Sequence, residues 1–174
     1  GFIDAHNWLF TARGIPVVYQ GSEFAFMRGT AEHAGNRNFI GQALLNEQRE
    51  NPIRQALKAI AEVRKTTPAL QRGLQYNLAM ESDLAMFYRV LVENGKTQIA
   101  LVMLNKGDTQ VAMTADKFVE AGVWQEQLTG KVAETLNGTL ISTVPAHSAR
   151  VYVRNQPISN PAFTQALLNQ MARQ

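Results

Sequence analysis

Between Gly14 and Glu23 the chain reads Gly-Ile-Pro-Val-Val-Tyr-Gln-Gly-Ser-Glu, and this run constrains the fold more than any other. Val17 and Val18 are adjacent, apolar and β-branched, the pattern of a strand covered on both faces. Gly14 and Pro16 punctuate its entry, and Gly21 permits a turn or close backbone approach where it ends. A short, fully buried strand is therefore expected here. It would hand Glu23 to the loop beyond, and loops leaving the carboxyl ends of parallel strands carry chemistry.

Residues 2–13, ahead of this run, predict a mostly buried helix. Phe2, Ala5, Leu9 and Ala12 recur at spacings of three and four, Trp8 and Phe10 widen the face, and Gly14 ends it. Asp4 and His6 fall on its polar side. From Glu23 to Asn51 periodicity is lost and Gly29, Gly35, Gly41, Asn36 and Asn38 mark a long loop. Phe24, Phe26, Met27, Phe39 and Ile40 give it enough apolar surface to be ordered. A second helix then begins, with Asn51 as N-cap, Pro52 in the first turn, and Ile53, Leu57, Ile60 and Val63 on one stripe.

After Arg72 the period becomes two, which sets the expected domain boundary. Leu84, Met86, Tyr88, Val90 and Val92 fall on one face of a strand, and Ala85, Phe87, Arg89 and Leu91 on the other. Asn94-Gly95 then predicts a tight hairpin into Thr97–Leu104. Further short strands are expected at Gln110–Thr114, Val123–Leu128, Thr139–Val144 and Ala149–Arg154, the rhythm of an antiparallel sandwich. A polar linker, Asn155–Ser159, precedes a last helix with Phe163, Leu167, Leu168 and Met171 on one side. The expected division is residues 1–72, 73–154 and 155–174.

Gly14, Pro16, Tyr19, Gly21 and Glu23 fit a pattern, roughly G-x-P-x-x-Y-x-G-x-E, that resembles the last barrel strand of the α-amylase family (glycoside hydrolase family 13). The closing phrase Val144-Pro-Ala-His-Ser-Ala-Arg-Val-Tyr is similar to the way that family's β-sandwich often ends. The resemblance implies an α/β plus all-β chain: the C-terminal part of a (β/α)8 barrel, then an antiparallel β-sandwich. It implies a portion of an enzyme acting on α-glucans such as starch or maltodextrin, by hydrolysis or transglycosylation. Relatives include α-amylases, cyclomaltodextrinases and cyclodextrin glucanotransferases.

Such retaining enzymes need two carboxyl groups about 5–5.5 Å apart. In the family these lie on earlier barrel strands, so no catalytic residue is expected in this chain, which alone would be inactive. The expected partners are an α-glucan or maltooligosaccharide and the remaining N-terminal barrel portion. Asn36-Arg37 match an N-R pair of the family's cleft, where His33 stands at the position of an aspartate, Ala34 replaces a proline, and Glu32 is one residue away. Arg37, Asn36, His33 and Glu23 are thus the implied substrate-binding set. A guanidinium fork and an amide suit vicinal hydroxyls, which donate and accept; equally, Arg37 could pair with Glu23 or Glu32 to order the loop. Glu23 reads either as a substrate contact or as support for its neighbours. Phe24, Phe26 and Met27 read either as sugar-stacking or as packing under the loop, and Tyr19 as a core or wall residue whose hydroxyl reaches a polar partner.

Composition narrows the classes. Seventeen basic and 14 acidic residues give +3 with no basic block, which argues against a nucleic-acid footprint or a membrane anchor. No apolar run approaches the roughly 20 residues of a membrane span. Zero cysteines exclude a disulfide scaffold and a thiol nucleophile. The three histidines, His6, His33 and His147, are too scattered for a metal motif. No cofactor is expected in this chain, and calcium, if present in the intact enzyme, would be held upstream. The chain opens within an element and shows no signal peptide, so a fragment or processed piece of a periplasmic or secreted bacterial enzyme is expected. A non-catalytic scaffold or glycan-binding homologue is the alternative.

Overall fold

The computed structural model describes residues 1–29 and 32–172. Six helices, α1 (Phe2–Thr11), α2 (Glu32–Asn36), α3 (Gln42–Glu47), α4 (Pro52–Thr66), α5 (Pro68–Arg72) and α6 (Pro161–Met171), accompany eight strands. The strands are β1 (Leu74–Glu81), β2 (Leu84–Glu93), β3 (Lys96–Asn105), β4 (Val111–Ala115), β5 (Gly122–Glu126), β6 (Val132–Thr135), β7 (Leu140–Val144) and β8 (Ser148–Arg154). Every pairing is antiparallel, in a six-stranded sheet ordered β1-β2-β3-β8-β5-β6 and a two-stranded sheet β4-β7.

The large sheet is buried on both faces, and the period-two pattern of β2 explains why. Met86, Tyr88 and Val90 join Leu101, Met103, Trp124 and Leu140 in the core between the two sheets, which α6 closes with Phe163 and Leu167. Phe87, on the opposite face, joins Ala100, Val102, Val151 and Val153 against Ile60 and Val63 of α4 and Ala69 and Leu70 of α5. Fully burying a side chain of this size contributes about 1.5–3 kcal/mol, so this second core holds the helices to the sheet. Asn94 and Gly95 both have positive φ, 52° and 72°, as the two-residue turn joining β2 to β3 requires. Asn51 accepts from the Ile53 amide at 2.9 Å and caps α4 as its residue type predicts.

Two expectations fail at the start of the chain. Ile15–Tyr19 joins no ladder, and Ile15 and Val17 are 88% and 78% exposed, where a buried strand was read. A strand needs hydrogen-bonded neighbours, and no other segment of the described residues lies alongside this one. Helix α1 likewise buries His6, Asn7 and Thr11, and of its expected apolar stripe it buries Ala12 and half-buries Leu9, while Phe2, Ala5 and Trp8 are exposed.

Ala12 and Phe10 pack on the helical core and Trp8 on Phe87, and buried polar contacts add to them in fixing α1. Arg89, on β2 and 1% exposed, donates from Nη1 to the Thr11 carbonyl at 2.8 Å and from Nη2 to the Gly73 carbonyl at 2.9 Å. Arg64, on α4, donates to the carbonyls of Phe10, Ala12 and Gly14 at 3.0, 3.3 and 2.5 Å. The two guanidinium groups satisfy carbonyls that the end of a helix leaves without partners. Burial, together with the neighbouring charges of Arg64 and Arg13, pulls Arg89 down to about 10, still charged at neutral pH. Gly73 must be glycine for this contact, because a Cβ there would stand 2.4 Å from the Ala69 carbonyl.

The linker after β8 is held by one carboxylate. Glu120, 2% exposed, accepts from the Ser159 and Asn160 amides at 3.0 Å and from the Ser159 hydroxyl. Asn160 caps α6, and Phe163 stacks on Phe118 with centroids 5.0 Å apart. Burial alone would raise the Glu120 pKa, but the bonds from Ser159 and Asn160 and the Arg154 charge outweigh it and hold it below the ordinary 4.5.

Two predictions follow from these anchors. Arg89→Met leaves two buried carbonyls without donors and is expected to lower unfolding stability by about 2–4 kcal/mol, measured by urea titration. Glu120 contributes above its unfolded pKa and stops contributing as pH falls through its depressed folded value. Glu120→Gln at neutral pH is therefore expected to loosen α6, read as faster proteolysis within residues 155–159.

Candidate functional site

Beyond the exposed run the chain turns sharply. Gly21 takes φ 84°, Ser22–Phe24 form one 3₁₀ turn, and the Phe26 amide returns to the Gly21 carbonyl at 2.8 Å. A Cβ on Gly21 would stand 2.6 Å from that of Phe26, so the turn requires glycine. Phe24 and Phe26 are buried edge to face, with centroids 6.0 Å apart. They pack under the loop, which settles the choice left open by sequence against sugar stacking by either ring.

The loop is closed by Asn38, whose amide donates to the carbonyls of Arg28 at 2.6 Å and Ala34 at 2.9 Å. The Arg28 amide donates to the Gly35 carbonyl at 3.0 Å, so Arg28 is fastened directly to the end of α2 and the residues after it. Gly35 is buried against Met27, whose sulfur leaves no room for a Cβ there. Arg37 is exposed just after α2 and Asn36 is partly buried. His33 and Glu32 lie in α2, but their side chains fall outside the described residues. Phe39, one residue past Asn38, is 81% exposed. Sequence reasoning counted Phe39 only towards order in the loop; no periodic pattern signals which face a loop residue takes.

Glu23 is placed apart from Asn36 and Arg37. It lines a cleft of about 640 Å³ with Arg49, Glu50, Arg54 and Lys58 at the start of α4. Among the described residues no hydrogen bond or ion pair joins it to Arg37. Three buried polar atoms, His6 Nδ1, Glu23 Oε2 and Asn36 Oδ1, have no hydrogen-bond partner among the described residues. Such orphans are rare in folded proteins and mark places where further groups belong. Burial holds the His6 imidazole below its ordinary pKa, with the Glu23 charge pulling the other way.

Other groups are committed elsewhere. Tyr19 is half exposed, so it is not a core residue. Trp124 is fully buried and donates to the Glu120 carbonyl at 2.9 Å, so it offers the sandwich no sugar platform. Asp4 binds His147 of the sandwich at 3.1 Å. Among the described residues no three His, Asp or Glu side chains are placed to hold a metal ion, and no helix is long and apolar enough to cross a membrane.

The loop's fastening is testable. Asn38→Ala is expected to speed hydrogen exchange at the Arg28 amide about fivefold, the loss of roughly 1 kcal/mol of hydrogen bonding, with α4 protection unchanged.

No protein-family model matches the chain. It is 25% identical over 152 residues to the cyclomaltodextrin glucanotransferase of Klebsiella oxytoca, covering 84% of this chain and 22% of that enzyme. An Anoxybacillus α-amylase superposes with a TM-score of 0.71 at 22% identity, over 91% of this chain and 33% of its own. A cyclomaltodextrin glucanotransferase of three-domain ABC distribution superposes at 0.68 and 23% identity, over 90% and 32%. The α-amylase of Geobacillus thermoleovorans, solved with acarbose, does so at 0.69 and 22%, over 90% and 33%. The chain thus spans a third or less of the length of the relatives it matches. In sequence and in fold it corresponds to a C-terminal portion of α-amylase-family enzymes.

Proposed function

We propose that the chain is the C-terminal portion of an α-glucan-acting glycoside hydrolase or transglycosylase, retaining in mechanism when whole. The observation that carries this reading is the state of Gly14–Tyr19. The run is β-branched and apolar, and Arg64 and Arg89 anchor its start, yet it is exposed and joins no ladder. On this reading strands from the rest of a barrel flank it and cover Ile15 and Val17. The exposed Phe2 of α1 and the three orphaned polar atoms are further groups that such neighbours would cover.

The loop from Glu23 to Gly41 then forms one lip of the sugar cleft. Arg37 supplies a planar set of donors for vicinal hydroxyls, and Asn36 an amide that donates and accepts. Phe39 supplies an aromatic face of the kind that covers the apolar side of a sugar ring. Glu23, turned towards α4, acts as support. A covalent glycosyl intermediate needs a nucleophilic and an acidic carboxyl group about 5–5.5 Å apart. On the resemblance to the α-amylase family, both catalytic acids lie on earlier barrel strands, outside this chain; in the chain itself Asp4 is held by His147 and Glu23 stands at α4.

The test is direct. Mixed with maltooligosaccharide, the chain alone is expected to release no sugar, whereas the chain joined to its barrel portion does. Turnover by the chain alone overturns the reading. In the joined enzyme Phe39→Ala is expected to raise KM about tenfold, the equivalent of ~1.4 kcal/mol of binding, with kcat little changed.

A further inference from the structure

A cluster apart from the sugar-binding loop links α1 to the far end of the sandwich. His147 sits in the turn between β7 and β8 with φ 50°, its backbone amide on the Gly107 carbonyl at 3.3 Å. Its Nδ1 meets Asp4 of α1 at 3.1 Å, and its Nε2 meets Asp108, in the loop between β3 and β4, at 2.9 Å. Asp4 is largely covered, with a side chain 13% exposed, whereas Asp108 is open to solvent.

Both ring nitrogens therefore face carboxylates, which accept hydrogen bonds and cannot donate when ionised. A neutral imidazole carries one N–H and can satisfy only one of the two; the other contact sets a lone pair against a negative charge. Only the imidazolium donates to both. The remaining charges nearby do not replace it: Lys106 is engaged by Asp83 at 3.3 Å, and the Gly1 amine reaches Asp4 Oδ2 at 2.6 Å but not Asp108.

We propose that His147, Asp4 and Asp108 form a proton-dependent clasp that holds α1 to the sandwich while the imidazole carries both protons. Loss of one proton releases one of the two carboxylates and loosens α1 at the end remote from Arg64 and Arg89. The hydrogen bonds from Asp4 and Asp108 hold the His147 pKa above its ordinary 6.5. The clasp therefore contributes fully below that ordinary value and is lost as pH rises through the raised one. This is independent of any action on glucans.

Proton NMR of the full chain tests it, because only three histidines titrate and His147→Asn identifies the signal. Asparagine cannot titrate and tolerates the left-handed φ of that turn, so the fold is preserved. The expected midpoint for His147 lies above 6.5, and Asp108→Asn, a substitution at an exposed side chain, moves it down. The thermal midpoint of the native chain is expected to fall with rising pH across that titration relative to the His147→Asn variant. A midpoint at or below 6.5, or parallel pH profiles for native chain and variant, overturns the clasp.

Discussion

Two guanidinium groups, Arg64 from α4 and Arg89 from β2, converge on the backbone carbonyls where α1 ends. Among the described residues neither has a carboxylate partner; the negative ends of peptide dipoles take that role. The arrangement costs desolvation of two like charges close together, which the lowered pKa of Arg89 reflects. Its return is positional. The backbone from Phe10 to Gly14 is pinned simultaneously to a helix and to the central sheet, so the exposed run that follows starts from a fixed point. The Gln75 side chain, accepting from the Arg13 amide at 2.8 Å, adds a third attachment from β1.

That anchoring works because the large sheet is shared. Strands β2, β3 and β8 present one face to the smaller sheet and α6 and the other to α4 and α5. A single β2 strand thus contributes Tyr88 to the sandwich core, Phe87 to the helical layer, and Arg89 to the joint between them. Substitutions along this strand are felt in both layers, since alternate residues sit in different cores. The buried hydrogen bond from Tyr152 to Ser142, 2.8 Å long, further ties the two sheets.

Period and punctuation made most of the sandwich legible. The alternation of β2, the Asn94-Gly95 turn and the Asn51-Pro52 helix start all report local physics, and all reappear in the structure. Strand β1 escaped notice because its register shifts between Asn77 and Ala79 at an edge, and β6 because its four residues put an apolar Val132 outside and a polar Thr135 inside. The run at Ile15–Tyr19 failed differently. Its residues describe an environment, buried on both sides, that the chain does not itself supply, so the sequence pattern and the local structure disagree. Within the loop, the bridging role of Asn38 was not readable, since amide contacts across ten residues leave no periodic trace.

Arg64 and Arg89 recognise carbonyl oxygens alone, so their contacts do not read side chains, while the buried Thr11 and Ala12 and the packed Phe10 set the space available at the same joint. A helix layer and a sheet bearing one arginine each would seat on a foreign helix only if its last turn follows the same course and carries side chains as small as Thr11 and Ala12, and a one-residue insertion there would misalign every contact. Exchange of segments across this junction is therefore limited by backbone length as well as by side-chain size.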